Sequence, residues 1–166
     1  VTTIYGLKPD TEYKIMAVYA GKEYGPVELK TDYEYVTLNV REFGAYGDGE
    51  HDDTNAIQCA IMAAPKDSRV LVPEGVYKIS SIFLKDNLNL ELAKGAVLSA
   101  FTEREKFPIL PGQIETYDEK DYYNLGTWEG NPLDMFSAIV CGINCSQVKE
   151  LLMDVQLMIT GGRIVR

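Results

Sequence analysis

Few residues in this 166-residue chain could do covalent chemistry, and their spacing narrows the options further. His51 is the only histidine, so a Ser-His-Asp or Cys-His system would rest on one imidazole. The three cysteines, Cys59, Cys141 and Cys145, are too few for a disulfide framework and leave one unpaired. Cys141 and Cys145 have CxxxC spacing with no matching Cys or His pair, which argues against a structural zinc site. Asp52 and Asp53 are adjacent carboxylates. They directly precede a helix-forming run, where acids cap free amides and complement the dipole, so capping is weighed over catalysis. A second set of residues could bind. The long stretch from Phe101 to Met135 carries Tyr117, Tyr122, Tyr123 and Trp128. Aromatic rings in such a loop either meet a ligand or pack the loop onto the body, and both readings stay open here.

Composition sets the frame for these groups. Hydrophobic residues are 46% and charged residues 25%, a globular balance. No run approaches the ~18 consecutive apolar residues of a membrane-spanning helix. Val1-Thr2-Thr3-Ile4-Tyr5 has no basic or apolar signal-peptide region, and the absence of an initial Met leads us to expect an upstream start. The net charge is −9, from 25 acids against 16 bases. Such a surface repels nucleic acid, and repels any anionic polymer unless a local Lys/Arg cluster overrides the mean field. No nucleic-acid or membrane partner is expected.

The elements that must position these residues are mostly strands. Ile4-Tyr5, Lys14 to Tyr19, Val70 to Val72, Val76 to Ile79, Leu88 to Leu92 and Ala138 to Val140 read as short strands, punctuated by Gly6, Gly21, Gly25, Gly75, Gly95 and Gly142. One helix is expected from Asn55 to Ala64. Asp52, Asp53 or Thr54 would cap it, and Pro65 would stop it. Ile57, Cys59, Ala60, Ile61 and Ala64 would share its apolar side. Gly44, Gly47 and Gly49 permit a tight turn before it, in which Asp48 can bond its neighbouring amides.

Two resemblances follow from particular motifs. Gly6-Leu7-Lys8-Pro9-Asp10-Thr11-Glu12-Tyr13 resembles the fibronectin type III run in which a tyrosine corner bonds back to upstream backbone, at Tyr13 here. The first fifth of the chain is therefore expected to be the C-terminal part of such a module (1–32), joined by a linker (33–38) to a second unit (39–149). That unit opens with Phe43-Gly44-Ala45-Tyr46-Gly47-Asp48-Gly49 and then Asp52-Asp53-Thr54-Asn55-Ala56-Ile57-Gln58. Ser81-Ile82-Phe83-Leu84-Lys85-Asp86-Asn87 follows, with Leu88-Asn89-Leu90-Glu91-Leu92-Ala93-Lys94-Gly95-Ala96-Val97-Leu98 after it. This combination resembles polygalacturonase-like enzymes, glycoside hydrolase family 28 of the pectin-lyase-like superfamily. The fold class expected is mainly β. It comprises the first coils of a right-handed parallel β-helix with an N-terminal capping helix, preceded by a partial fibronectin type III sandwich.

The resemblance implies hydrolysis of α-1,4-galacturonan with inversion, in exo mode, by paired aspartates and without a cofactor. It also implies a polysaccharide partner and an extracellular or periplasmic location. Trp128, Tyr122 and Tyr123 become the candidate substrate-binding residues, and no metal ligand is assigned. The family's N-T-D, D-D, G-H-G and R-I-K motifs do not occur here in their context, and Arg163-Ile164-Val165 lacks the basic third residue. No catalytic residue is carried over, and the chain, read as a fragment, is expected to be inactive. The family's basic subsites would lie on coils beyond it, so a charge of −9 need not describe the whole cleft. Residues 150–166 depart from the expected Gly-x-Gly-x-Ile-Asp-Gly turn. Two origins stay open: an out-of-frame tail, since suitable codons shifted by two nucleotides restore that pattern, or an ordinary divergent segment. Three alternatives to the hydrolase remain: a calcium-dependent lyase with clustered acids, a tailspike-like depolymerase, and a non-catalytic carbohydrate-binding or adhesive β-solenoid.

Overall fold

The computed structural model describes Ile4 and residues 6–115, 122–124, 127–129, 131–143, 145–146 and 149–151. An antiparallel hairpin comes first, from β1 (Glu12–Tyr19) and β2 (Lys22–Lys30). Ala20 and Gly21 turn it with φ of 50° and 76°, the left-handed pair whose twist suits a two-residue hairpin. The Tyr13 hydroxyl accepts from Lys8 N–H at 2.7 Å, and Thr31 Oγ1 accepts from Thr11 N–H at 2.9 Å. Val18, Tyr19, Tyr24 and Val27 stay exposed. The strand expected at Ile4-Tyr5 is not present at Ile4, and Tyr5 lies outside the described residues.

The rest of the chain winds. β3 (Thr37–Asn39), a 3-10 turn at Val40–Phe43, β4 (Asp48–Asp52) and helix α1 (Thr54–Ala63) form the first coil. The second holds β5 (Ser68–Val72), β6 (Gly75–Ile79) and β7 (Ile82–Phe83). The third holds β8 (Leu88–Leu92) and β9 (Ala96–Ala100). An excursion follows, with β10 (Ile109–Leu110), β11 (Gln113–Glu115), β12 (Tyr122–Asn124), β13 (Thr127–Trp128), β14 (Asn131–Pro132) and β15 (Met135–Phe136). The third coil then resumes at β16 (Val140–Cys141), and β17 (Lys149–Leu151) starts the next.

All strands of the winding pair in parallel, in three sheets ordered β3-β5-β8-β17, β4-β6-β9 and β7-β16. Ser68 to Val72 face Leu88 to Leu92 residue for residue, an offset of about 20 residues and at the short end of solenoid repeats. Alternation in each strand puts every second side chain inside. Val70 and Val72 stack on Leu90 and Leu92, Tyr77 on Leu98, and Ile79 on Ala100, all buried. Asp67 and Asn87 occupy equivalent corners with φ of 59° and 54°, a conformation that Asp and Asn tolerate better than most residues.

Helix α1 buries Ile57, Ala60, Ile61 and Ala64 in the same core as Val70 and Ile82. Cys59, expected on that side, is exposed. It lies about half a turn from Ile57, which turns it away from the core. The helix also does a strand's work. Gln58 donates from its amide nitrogen to Phe83 C=O at 3.0 Å, and its amide oxygen accepts from Phe83 N–H at 2.8 Å. Its side-chain amide thus satisfies β7 on the side where the first coil supplies no strand. At the other end, Lys85 Nζ donates to the free carbonyls of Met62 and Ala64 at 2.8 and 2.6 Å.

Backbone pairing reaches into the 33–38 stretch. Tyr35 N–H donates to Asp67 C=O at 2.7 Å, and Arg69 N–H to Val36 C=O at 3.0 Å. Arg69 ion-pairs with Glu34 at 3.1 Å and with Glu91 at 2.6 Å, and it donates to Thr37 Oγ1 at 3.1 Å. One guanidinium therefore bridges successive rungs of the outer face.

Candidate functional site

Two places gather groups capable of chemistry or binding. The first is the turn before α1. Asp48 Oδ1 accepts from the N–H groups of Glu50 and His51 at 2.9 and 3.0 Å, the expected Asx-type turn. Its Oδ2 lies 2.7 Å from His51 Nδ1. The two backbone donors, with the imidazole added, lower the Asp48 pKa to about 2. The His51 ring stacks on Tyr46 at 4.0 Å between centroids. Both side chains are exposed, and no serine or cysteine is bonded to the imidazole.

The Asp52-Asp53 pair divides its labour. Asp52 Oδ1 accepts from Thr54 N–H at 3.1 Å and from its hydroxyl at 2.6 Å. Asp53 stands at the N-cap position, but its side chain makes no capping bond. The fully buried carboxylate instead points back and accepts from Tyr46 N–H at 2.6 Å and Gly47 N–H at 3.0 Å. Capping by Asp53 is thus corrected. The glycine turn leaves two amides unpaired, and a carboxylate fixed beneath them takes both. Gly47 fits there because a Cβ would come within 2.8 Å of the Tyr77 ring.

The second place is the excursion from the third coil, hereafter the arm. The equivalent corner of the second coil needs only Ser80-Ser81 between β6 and β7. The arm is not the open loop expected from the sequence. β10 and β15 pair antiparallel at its base, and β11–β12 and β13–β14 form ladders beyond. Ser137 N–H donates to Pro108 C=O at 2.9 Å, and the buried Ser81 and Ser137 hydroxyls meet, which seats the arm on the second coil. Gly112 is required at the base, because the Leu133 backbone runs where a Cβ would stand.

Trp128 lies on β13 opposite Asn131 and is 69% exposed. Tyr122 and Tyr123 lie on β12 opposite Glu115 and Ile114. Tyr117 lies outside the described residues, as does 152–166 of the tail. The structure thus places all three candidate binding residues on the arm. It also shows a cluster that sequence reading missed, at the arm's root. Lys78 and Lys106 stand over Phe101 at 5.0 and 4.3 Å from the ring centroid, and Arg104 over Phe136 at 5.8 Å. Lys106 also meets Asp52 at 3.7 Å. The local signal was Phe101 followed within five residues by Arg104 and Lys106, an aromatic ring with two cations close by. Among the described residues no group of His, Cys, Asp or Glu is arranged to hold a metal ion, the three cysteines are free, and no helix is long and apolar enough to cross a membrane.

Comparison with known proteins bears on these coils. Residues 37–131 match the family model described as rhamnogalacturonase A/epimerase, pectate lyase-like. The chain is 35% identical over 109 residues to exo-poly-alpha-D-galacturonosidase of Dickeya chrysanthemi, covering 62% of this chain and 18% of that protein. It is 43% identical over 74 residues to plasmin and fibronectin-binding protein A of Streptococcus pneumoniae, covering 42% and 10% respectively. Its structure is similar to the family 28 exopolygalacturonase of Yersinia enterocolitica. There the TM-score is 0.58 and the identity 30%, over 86% of this chain and 24% of that one. The chain thus spans less than a quarter of the length of each relative. The parallel coils and the family match over 37–131 agree: the chain belongs to the rhamnogalacturonase A/epimerase, pectate lyase-like family, with the polygalacturonase-like β-helix of glycoside hydrolase family 28.

Proposed function

We propose that this chain is part of a bacterial glycoside hydrolase that cleaves α-1,4-galacturonan from chain ends. The observation that carries the reading is the 35% identity to an exo-poly-alpha-D-galacturonosidase across 62% of the chain, over a framework of parallel coils. Inverting hydrolysis needs two carboxylates ~6.5–9.5 Å apart, one on each side of the scissile bond. Asp52 and Asp53 do not serve. One carboxylate is buried under two amides and the other is engaged with Thr54 and Lys106. The reacting pair then belongs to coils beyond this chain, and the chain alone is inactive.

In this reading the arm contributes binding. Trp128, Tyr122 and Tyr123 contact sugar rings, the exposed indole offering a flat apolar face to a pyranose. Helix α1 closes the lower end of the stack, supported by the Gln58 bonds to Phe83. Residues 1–32 are the end of a fibronectin type III-like module, supported by the Tyr13 hydroxyl bonded to Lys8 N–H. Residues 33–38 lead from it into the coils of 39–149, with Thr37 and Leu38 already paired in β3, and 150–166 are a divergent tail. A polymeric plant-wall substrate requires action outside the cytoplasm, so the protein is extracellular or periplasmic.

The test is product analysis with polygalacturonate. The longer protein releases short galacturonates from chain ends with inverted anomeric configuration, seen by proton NMR, and the 166-residue chain releases none. An unsaturated product would replace the hydrolase with a lyase. The similarity to a plasmin and fibronectin-binding protein favours a second reading, a non-catalytic binding solenoid. Saccharide binding by the longer protein with no bond cleavage would select it.

A further inference from the structure

We propose that the arm's root is a contact site for the carboxylate of a uronic-acid sugar, with Phe136 as the stacking face and Arg104 as the anion donor. The inference rests on the galacturonan reading and adds residues outside the Trp128 segment.

The chain carries −9, so an anionic saccharide is repelled from most of its surface. Free cations beside exposed rings are the exception that could hold one. Among the described residues, no carboxylate lies within ion-pair distance of Arg104 or Lys78. The neighbouring acids are largely engaged. Asp52 meets Lys106, and the Glu103 carboxylate accepts from Thr102 N–H at 3.0 Å and its hydroxyl at 3.2 Å. Glu105 is exposed beside Arg104 and carries the opposing charge.

The two rings at the root differ. Phe101 is buried and flanked by Lys78 and Lys106, so it anchors the root. Phe136 is 44% exposed and lies opposite Ile109, which is 65% exposed, in the β10–β15 ladder. Its ring is wet although the guanidinium stands 5.8 Å from its centroid. A ring that takes the apolar face of a sugar, beside a planar donor that can take a carboxylate through two N–H groups, matches a uronate rather than a neutral hexose.

The test titrates the 166-residue chain with trigalacturonate and, separately, with maltotriose, followed by NMR of the arginine Nε–H and phenylalanine ring signals. Saturable shifts at Arg104 and Phe136 with trigalacturonate only are expected, and they weaken as salt rises. Arg104→Gln weakens binding about tenfold, the loss of one charge-assisted contact. Arg104→Lys retains part of the affinity, and Phe136→Leu weakens binding several-fold while the Arg104 signal still reports it. Amide spectra of the variants that overlay the parent show that the fold is kept. Equal binding of maltotriose, unchanged affinity of Arg104→Gln, or no shift in the parent chain would overturn the proposal. Galacturonate release by the longer protein is read independently. Release without shifts at the root rejects this site and leaves the galacturonan reading standing.

Discussion

The coils and the arm use the same residue types to opposite ends. In the coils Leu88, Leu90 and Leu92 are sealed between rungs, and in the arm Ile109, Leu133 and Trp128 face solvent. The difference lies in what each strand has beside it. A coil strand has a parallel neighbour with identical alternation, so each inward side chain meets another. Among the described residues, β10, β13, β14 and β15 each have one antiparallel partner of two residues, so pairing fixes the backbone while Ile109, Trp128 and Phe136 stay exposed. Under the proposed function the candidate binding residues sit on the second kind of element, and the first kind holds it still.

Breaking the coil side should cost most. Leu90→Ala removes a fully buried side chain stacked on Val70 and should cost about 2–5 kcal/mol in denaturant unfolding. Ile109→Ala on the arm should stay within about 0.5 kcal/mol. Equal losses would show that the arm is as closely packed as the coils. Next comes Gln58→Leu, which strips both side-chain bonds from Phe83 and should cost about 1–3 kcal/mol in the same assay. Gly112→Ala tests separability. The Leu133 backbone must shift, so Trp128 fluorescence should change while the main β melt by circular dichroism moves by less than about 1 kcal/mol. A large loss there would make arm and coils one unit.

The smallest effect is in acid. The Asp48 pKa is lowered to about 2, so its contribution is fully present above the ordinary carboxylate range and fades as pH falls from about 4 through 2. Asp48→Asn should therefore flatten the acid limb of the stability curve and leave its shape above pH 5 unchanged.

The coils were the more legible region. Leu88 to Leu92 and Val76 to Ile79 alternate cleanly, and their strands match expectation almost to the residue. Helix α1 was legible from its i, i+3, i+4 pattern and Pro65, but Cys59 was placed on the wrong side because its apolarity counted for more than its angle. The strand expected at Ala138 to Val140 is found at Val140–Cys141, set by pairing with Ile82 and Phe83. Polar roles were harder to read. Nothing local marks Gln58 as a surrogate strand partner or turns the Asp53 carboxylate toward Tyr46, since both depend on segments brought together by winding. The arm hid its ladders because two-residue pairings carry no period. Its glycine at 112 and its aromatics were visible, but not the contacts that give them purpose.

The amide of Gln58 has one more implication. It occupies both hydrogen-bonding groups of Phe83 on the side facing α1, so no other polypeptide can dock a strand at that rung. Lengthening by duplication is thereby directional: extra turns can be added past Lys149–Leu151, and none can be inserted beneath the helix without discarding it. Diversity in size among such proteins should accumulate toward their C-termini, with the opening turn left nearly constant.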